Sequence, residues 1–187
     1  MRNQSDYRLQ PRLEVKIMSM FKRIRNIFAK PEAPLKERGI LEIGPGDICE
    51  VSMVTYEVTG RTQNARRKAV VLTLRDGSNL SYLVIEEREE NKYALYHPID
   101  GRLDSIQEVP TTMDLDGTVY HLEEQYNGHV STTGRTPFMQ GGDQSVWQYQ
   151  SDNMKLLRIE WMDGRFMLYE GEDIPPADVR VIRGGGA

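Results

Sequence analysis

The stretch AVVLTLRDGSNLSYLVIE, residues 69–86, indicates the fold class of this chain. Two runs rich in β-branched and aromatic residues lie on either side of Asp76-Gly77. This dipeptide favours the tight turn of a β-hairpin, because both residues tolerate the positive φ angles that the turn requires. The stretch therefore predicts two antiparallel strands, 69–75 and 80–86, joined by a hairpin turn.

The same pattern of short strands and turns continues over residues 40–183. Asp116-Gly117, Asn127-Gly128 and Asp163-Gly164 each predict a turn between two alternating runs. Short strands without long helices between them are typical of antiparallel sheets, not of a parallel α/β fold. We therefore expect a mainly β domain, either an antiparallel sandwich or a pair of small open barrels. The further predicted strands are 48–59 (one strand or two), 93–96, 119–124, 129–132, 146–150, 155–161, 165–170 and an edge strand at 179–182.

A faint internal repeat divides this domain. Residues 79–86 resemble residues 153–160, at an offset of 74, and residues 93–96 resemble residues 166–169, at an offset of 73. One interpretation is a duplication, which predicts two similar halves, 40–110 and 111–183, related by a pseudo-two-fold axis with a seam between them. The other interpretation is that hairpins resemble each other because strict alternation limits the choice of residues.

Residues 13–30 follow a helical pattern instead. Their apolar residues recur at the spacing of one narrow stripe on a helix, and no acidic residue lies between Val15 and Lys30. Pro31 and Pro34 then end the helix and begin a linker over 31–39, after a loose tail at 1–12; residues 184–187 form a second loose end. The stripe consists of Ile17, Met20, Phe21, Ile24, Ile27 and Phe28, and the basic residues around it are Lys16, Lys22, Arg23, Arg25 and Lys30.

Composition limits the class of protein. The chain has 187 residues, 39% of them hydrophobic, and a formal net charge of -4, which argues against a nucleic-acid partner. The single cysteine, Cys49, gives no reason to expect an oxidising compartment. Neither a signal peptide nor a run of roughly 20 apolar residues is evident. We therefore expect a cytoplasmic protein. The predicted basic helix is also compatible with peripheral attachment to the inner face of the cell membrane.

The residues that usually carry catalysis or metal binding do not form a recognisable motif. No glycine-rich phosphate loop or nucleophile elbow is present. His121 and His129 lie in neighbouring predicted strands, but a zinc site would need a third ligand at a compact spacing. We therefore predict no catalytic residue, metal or cofactor.

Four aromatic residues fall in neighbouring predicted strands: Trp147, Tyr149, Trp161 and Tyr169. They fit ordinary packing in the core or across strands. They also fit the lining of a ligand groove between the two halves, and the sequence leaves both interpretations open.

Several of these motifs, taken in order, resemble a bacterial family known as domain of unknown function 4178. The resemblance covers roughly residues 40–183. It implies a bacterial protein without established catalytic residues, whose relatives are often encoded beside phage-shock-type membrane-remodelling proteins and polyamine-synthase-like genes. The matching stretches are 116–124 (DGTVYHLEE), 157–161 (LRIEW), 169–172 (YEGE) and, in the first half, 46–47, 56–60 and 82–83.

Three hypotheses about function follow. The first is a non-enzymatic adaptor, whose basic helix contacts an anionic membrane surface and a protein partner involved in membrane stress or remodelling. The second is a small-ligand binder or enzyme that uses the seam between the β halves. The third is a structural module whose helix packs on its own β domain. The oligomeric state is left open.

Overall fold

The computed structural model describes residues 39–183, and these residues form an antiparallel β structure. The mainly β prediction is confirmed. Three short 3₁₀ helices lie at Ile40–Glu42, Ile106–Glu108 and Pro176–Asp178. The strands are β1 (Ile48–Val51), β2 (Val54–Asn64), β3 (Ala69–Asp76), β4 (Asn79–Glu86), β5 (Lys92–Ile99), β6 (Thr112–Leu115), β7 (Thr118–Gly134), β8 (Gly142–Ser151), β9 (Leu156–Met162), β10 (Arg165–Ile174) and β11 (Val179–Arg183).

Asp-Gly dipeptides form three of the hairpin turns, as the sequence predicts. Gly77 joins β3 to β4, Gly117 joins β6 to β7 and Gly164 joins β9 to β10, and all three have positive φ angles. Asp116 and Asp163 also have positive φ angles, of 50° each. The sequence therefore specifies these turns locally, because few other residue pairs adopt that conformation without strain.

Eight strands close into an antiparallel barrel in the order β2-β3-β4-β5-β10-β9-β8-β7. Residues 60–63 of β2 pair with residues 131–134 of β7, and this pairing closes the ring. The expected sandwich or pair of open barrels differs from this single barrel. Strands of the two halves pair at two junctions, β5–β10 and β2–β7. The second junction forms because β2 and β7 are long enough to pair with two partners along one edge.

The two halves of the barrel repeat one order of elements. In each half a four-residue strand forms a hairpin with a long strand, and three further antiparallel strands follow. The short strands β1 and β6 lie outside the ring, and β11 pairs with β1 as the predicted edge strand. Bulges interrupt β2 at 58–60 and β7 at 122–124. Each bulge turns the later part of its strand toward the other half.

Glycines allow the close approach at the β2–β7 junction. Gly60 is opposite Gly134 in the register. A Cβ atom at Gly60 would overlap the backbone carbonyl group of Arg135, and Gly134 has a φ angle of 74°. Side chains at these two positions would therefore hold the halves apart.

Apolar side chains fill two outer cores and an interior layer, and a small cluster around Phe138 and Met162 shares Met167 with the interior layer. The first outer core covers β2–β5 from outside, with Leu72 and Leu83 packed beneath Ile40 and Val181. The second outer core lies on β7–β10, where Trp147 packs beneath the segment between β5 and β6. The third layer is the barrel interior, which contains Tyr82, Val84, Tyr96 and Tyr169. Residues 81–86 of β4 are all buried because this strand packs on both of its faces.

One predicted turn was wrong. Asn127-Gly128 lies within the continuous strand β7 and does not separate two strands. Gly128 faces Asn64, whose side-chain amide occupies the place of a Cβ atom. The glycine therefore serves a close contact inside the barrel rather than a turn.

The predicted tail 1–12, the helix 13–30 and almost all of the linker 31–39 lie outside the described residues, as does the end at 184–187. No helix within residues 39–183 is long and apolar enough to cross a membrane.

Candidate functional site

Three of the four predicted groove aromatics pack together in the second outer core. Trp147 and Tyr149 are 2% and 1% exposed, and Trp161 is partly buried against the same cluster. The Tyr149 hydroxyl group donates to the carbonyl oxygen of Pro110 at 2.7 Å, and burial raises the pKa of Tyr149 to about 12. These side chains hold the segment between β5 and β6 on the outside of the barrel.

The fourth aromatic residue, Tyr169, lies on the opposite face of the sheet. It packs inside the barrel against Tyr82, with ring centroids 4.9 Å apart in an edge-to-face arrangement. The four residues therefore do not line one common groove. Strand alternation explains the separation, because Tyr169 is opposite Arg158 in the register whereas Trp147 is opposite Ile159.

A buried ion pair lies beside Tyr169 in the barrel interior. The Arg158 guanidinium group donates to the Glu160 carboxylate at 2.7 Å, and the two side chains are 4% and 7% exposed. A second guanidinium nitrogen of Arg158 donates to the Tyr126 hydroxyl group at 3.3 Å. Arg158 and Glu160 alternate with apolar residues in β9, so the same strand places charges inside the barrel and apolar residues in the outer core.

A cleft of about 340 Å³ opens at the end of the barrel near the β4–β5 turn. We call it the mouth cleft. Glu86, Arg88 and Lys92 contribute to it from the first half, and Glu124 and Gln148 from the second. It therefore lies in the seam between the two halves. Its lining also includes Val84, Tyr93, Ala94, Tyr96, Glu123, Tyr149, Gln150, Leu156 and Asp173.

Arg67 joins the two halves beside the mouth cleft. It extends from the β2–β3 turn and donates to both carboxylate oxygens of Glu124 in β7, at 2.7 and 2.8 Å. Its guanidinium carbon also lies 3.7 Å from the ring centroid of Tyr126. A bidentate pair with an aromatic neighbour fixes the orientation of both charged groups.

Glu86 is 8% exposed at the inner side of the mouth cleft and keeps its negative charge. Burial alone would raise the pKa of this carboxyl group, but the hydrogen bond from Arg88 and the charges of Arg67 and Arg88 lower it overall. The nearest Arg88 nitrogen lies 2.6 Å from Glu86 Oε2. A buried carboxylate held by two cations is positioned before any ligand arrives.

Gln148 lies between the charged groups of the interior and those of the mouth cleft. Both ends of its side-chain amide find a hydrogen-bond partner in one orientation. In that orientation the nitrogen donates to Glu124 at 3.2 Å and the oxygen accepts from Arg158 at 2.9 Å. The end of this side chain also lies 3.5 Å from Glu86 on the opposite side of the ring. A chain of polar contacts therefore runs from the cleft to the buried ion pair.

The histidines do not converge. His97 Nδ1 lies 3.1 Å from the Ser81 hydroxyl group, and His129 Nδ1 lies 2.9 Å from exposed Asp143. Within residues 39–183, no three His, Cys, Asp or Glu side chains are close enough to hold a metal ion. Cys49 is fully buried, and burial raises the pKa of its thiol to about 11. This environment disfavours the reactive thiolate form.

The sequence model of one family, described as a domain of unknown function (DUF4178), matches residues 44–176. The chain belongs to this family. The matched region contains the closed barrel and the mouth cleft. Comparisons with curated proteins and with solved structures gave no significant match.

Sequence reasoning alone missed the charged residues of the mouth cleft and of the barrel interior. No sequence motif distinguishes Glu86, Arg158 or Glu160 from the other residues of the predicted strands 80–86 and 155–161. One signal was available: a charged residue between apolar neighbours in a strand buried on both faces must itself be buried and paired. Two-sided burial depends on barrel closure, which no local pattern reveals.

Proposed function

We propose that the chain is a non-enzymatic binding module that holds a small polar ligand in the mouth cleft. The main evidence for this proposal is the cleft itself, because its volume of about 340 Å³ lies in the range of small-molecule sites. Both halves contribute charged residues to it, and Arg67, Arg88 and Gln148 hold those residues in place. Such a site is largely formed in advance, which reduces the entropy lost on binding.

The lining indicates the kind of ligand. Ala94 and Leu156 provide an apolar wall. Around it, the side chains of Glu123, Asp173 and Lys92 make no hydrogen bond or ion pair with other described residues. Their charges are therefore available to a ligand with an apolar body and polar groups of both signs.

Filling the cleft tests this proposal. Ala94→Trp places a large ring in the mouth cleft, and Ala177→Trp adds the same ring on an exposed 3₁₀ helix as the control. A panel of zwitterionic and singly charged small molecules is screened by ligand-observed NMR. We expect ligands that bind the unchanged protein and Ala177→Trp but not Ala94→Trp. Equal binding to both variants, each shown to be folded by near-UV circular dichroism, would refute the proposal.

A second candidate function is an adaptor at an anionic membrane surface, with a partner involved in membrane stress or remodelling. The distribution of charge favours this function. Residues 1–38 contain 10 basic and 4 acidic residues, whereas residues 39–187 contain 14 basic and 24 acidic residues. An anionic surface would repel the second region, so attachment would depend on the basic residues of the predicted helix 13–30.

Co-sedimentation with liposomes tests the adaptor function. The variant Lys22→Glu/Arg23→Glu/Arg25→Glu reverses charge in the predicted helix, and Arg2→Glu/Arg8→Glu/Arg12→Glu makes the same change in the preceding tail. We expect the unchanged chain to bind vesicles that contain anionic lipid, and the helix variant to lose far more binding than the tail variant. Binding to neutral vesicles, or equal losses in both variants, would contradict this function. If the helix variant instead unfolds, the third hypothesis, a helix packed on its own β domain, is favoured.

A further inference from the structure

A small, partly open cavity lies in the barrel interior, next to the mouth cleft. Val84 and Tyr96 line both spaces and form the wall between them. The cavity leaves about 10 Å³ for the centre of a water-sized sphere. This is close to the smallest volume that holds one water molecule, and it excludes organic ligands.

The Tyr169 hydroxyl group is the clearest polar feature of this cavity. The residue is 2% exposed, and its hydroxyl group makes no hydrogen bond of normal geometry within residues 39–183, although the Glu160 carboxylate lies close enough to act on it as an acceptor. Burial, and after it the charge of Glu160, raises the pKa of Tyr169, so the hydroxyl group keeps its proton and can donate. A buried donor without a partner would reduce the stability of the fold.

Arg158 and Glu160 line the same cavity. Arg158 uses one of its donors on Glu160, at 2.7 Å, and both side chains are almost fully buried. The cavity wall thus combines a hydroxyl donor, a guanidinium group and a carboxylate acceptor. A molecule that both donates and accepts hydrogen bonds matches this mixture, and water is the smallest such molecule.

We propose that this cavity is a binding site for one ordered water molecule, which accepts a hydrogen bond from Tyr169 and donates one to Glu160. The water completes the hydrogen bonding of the barrel interior. Val71, Val84 and Phe138 close the remaining walls with apolar atoms. The site is separate from the ligand site proposed above, because Tyr96 and Val84 lie between them.

The variant Tyr169→Phe in the full chain tests the energetic consequence, because it removes only the hydroxyl group. Tyr149→Phe is the matched comparison, since the Tyr149 hydroxyl group has a known partner in Pro110 at 2.7 Å. We expect both variants to lower the urea midpoint of unfolding to a similar extent. An unchanged or raised midpoint for Tyr169→Phe would mean that this hydroxyl group has no partner, and the proposal would fail.

A crystal structure of the full chain, at a resolution that shows ordered solvent, tests the geometry. We expect one solvent peak within hydrogen-bond distance of both Tyr169 and Glu160, and its loss or displacement in Tyr169→Phe. A cavity without density, or a direct hydrogen bond between Tyr169 and Glu160, would overturn the proposal.

Discussion

At the scale of single residues, the buried charged groups of the barrel stay ionised because charged partners lie beside them. Glu86 illustrates this, because its pKa is lowered from about 4.5 although burial opposes ionisation. The ionised carboxylate of Glu86 therefore stabilises the fold. This contribution is complete above the pKa of the unfolded state, and it is lost as the pH falls through the lower pKa of the folded state.

Glu86→Gln should therefore lower the free energy of unfolding at pH 7, and the difference from the unchanged protein should shrink as the pH is lowered to about 3. Urea unfolding at a series of pH values measures this difference. Glu90→Gln is the control, because the Glu90 side chain is exposed and makes no hydrogen bond or ion pair with other described residues. A difference for Glu86→Gln that does not depend on pH would show that this charge adds nothing to folding.

The Arg158–Glu160 pair leads to a second prediction at this scale. Arg158→Met leaves the buried Glu160 carboxylate without its cation, and we expect a loss of about 3–5 kcal/mol in the free energy of unfolding. Arg102→Met breaks a pair of similar length, 2.7 Å, whose side chains are 85% and 66% exposed. That control substitution should lower the free energy of unfolding by less than about 1 kcal/mol. Similar losses in the two variants, measured by urea unfolding, would show that burial does not govern the effect.

At the scale of secondary-structure elements, the β1–β2 turn departs from the usual turn chemistry. Ser52 and Met53 both have positive φ angles, of 49° and 66°, although neither is Asn, Asp or Gly. The sequence therefore left open whether residues 48–59 form one strand or two. Tertiary packing imposes this turn, because Ser52 donates its backbone N–H group to Asp178 and β1 is held between β2 and β11.

Met53→Gly should relieve the strain in this turn. A left-handed conformation costs a residue with a side chain about 1–2 kcal/mol, and the greater freedom of glycine in the unfolded chain offsets part of the gain. We expect thermal unfolding to show a net stabilisation of about 0.5–1 kcal/mol. Met139→Gly is the control, since Met139 is 84% exposed and is not among the residues with positive φ. That substitution should destabilise, and a stabilising effect in both variants would rule out turn strain as the cause.

At the scale of the whole molecule, two junctions of unequal length join the two halves of the barrel. The β5–β10 junction pairs residues 93–99 with residues 168–174, whereas the β2–β7 junction pairs only residues 60–63 with residues 131–134. Arg67 strengthens the shorter junction through its ion pair with Glu124. The shorter junction should therefore open first, because local opening follows the regions with fewest contacts.

Native-state hydrogen exchange measures this order of opening. We expect the amide groups of residues 60–63 and 131–134 to exchange faster than those of the β5–β10 junction. Arg67→Ala should accelerate exchange further at the β2–β7 junction and leave the β5–β10 junction unchanged. Arg75→Ala, which breaks the more exposed pair with Glu57, is the control and should have little effect at either junction. Uniform acceleration by Arg67→Ala would mean that the barrel opens as a single unit.

The sequence by itself determined the mainly β class, the antiparallel hairpins at Asp76-Gly77, Asp116-Gly117 and Asp163-Gly164, and the family resemblance, because alternation and turn residues act over a few positions. Only the tertiary structure decided that β2 and β7 pair, that Gly128 serves a contact with Asn64, and that Glu86 and Arg158 lie inside a barrel. These features depend on residues far apart in the chain. A charge in a strand is solvated or buried according to which strands close over it, and no local pattern records that closure.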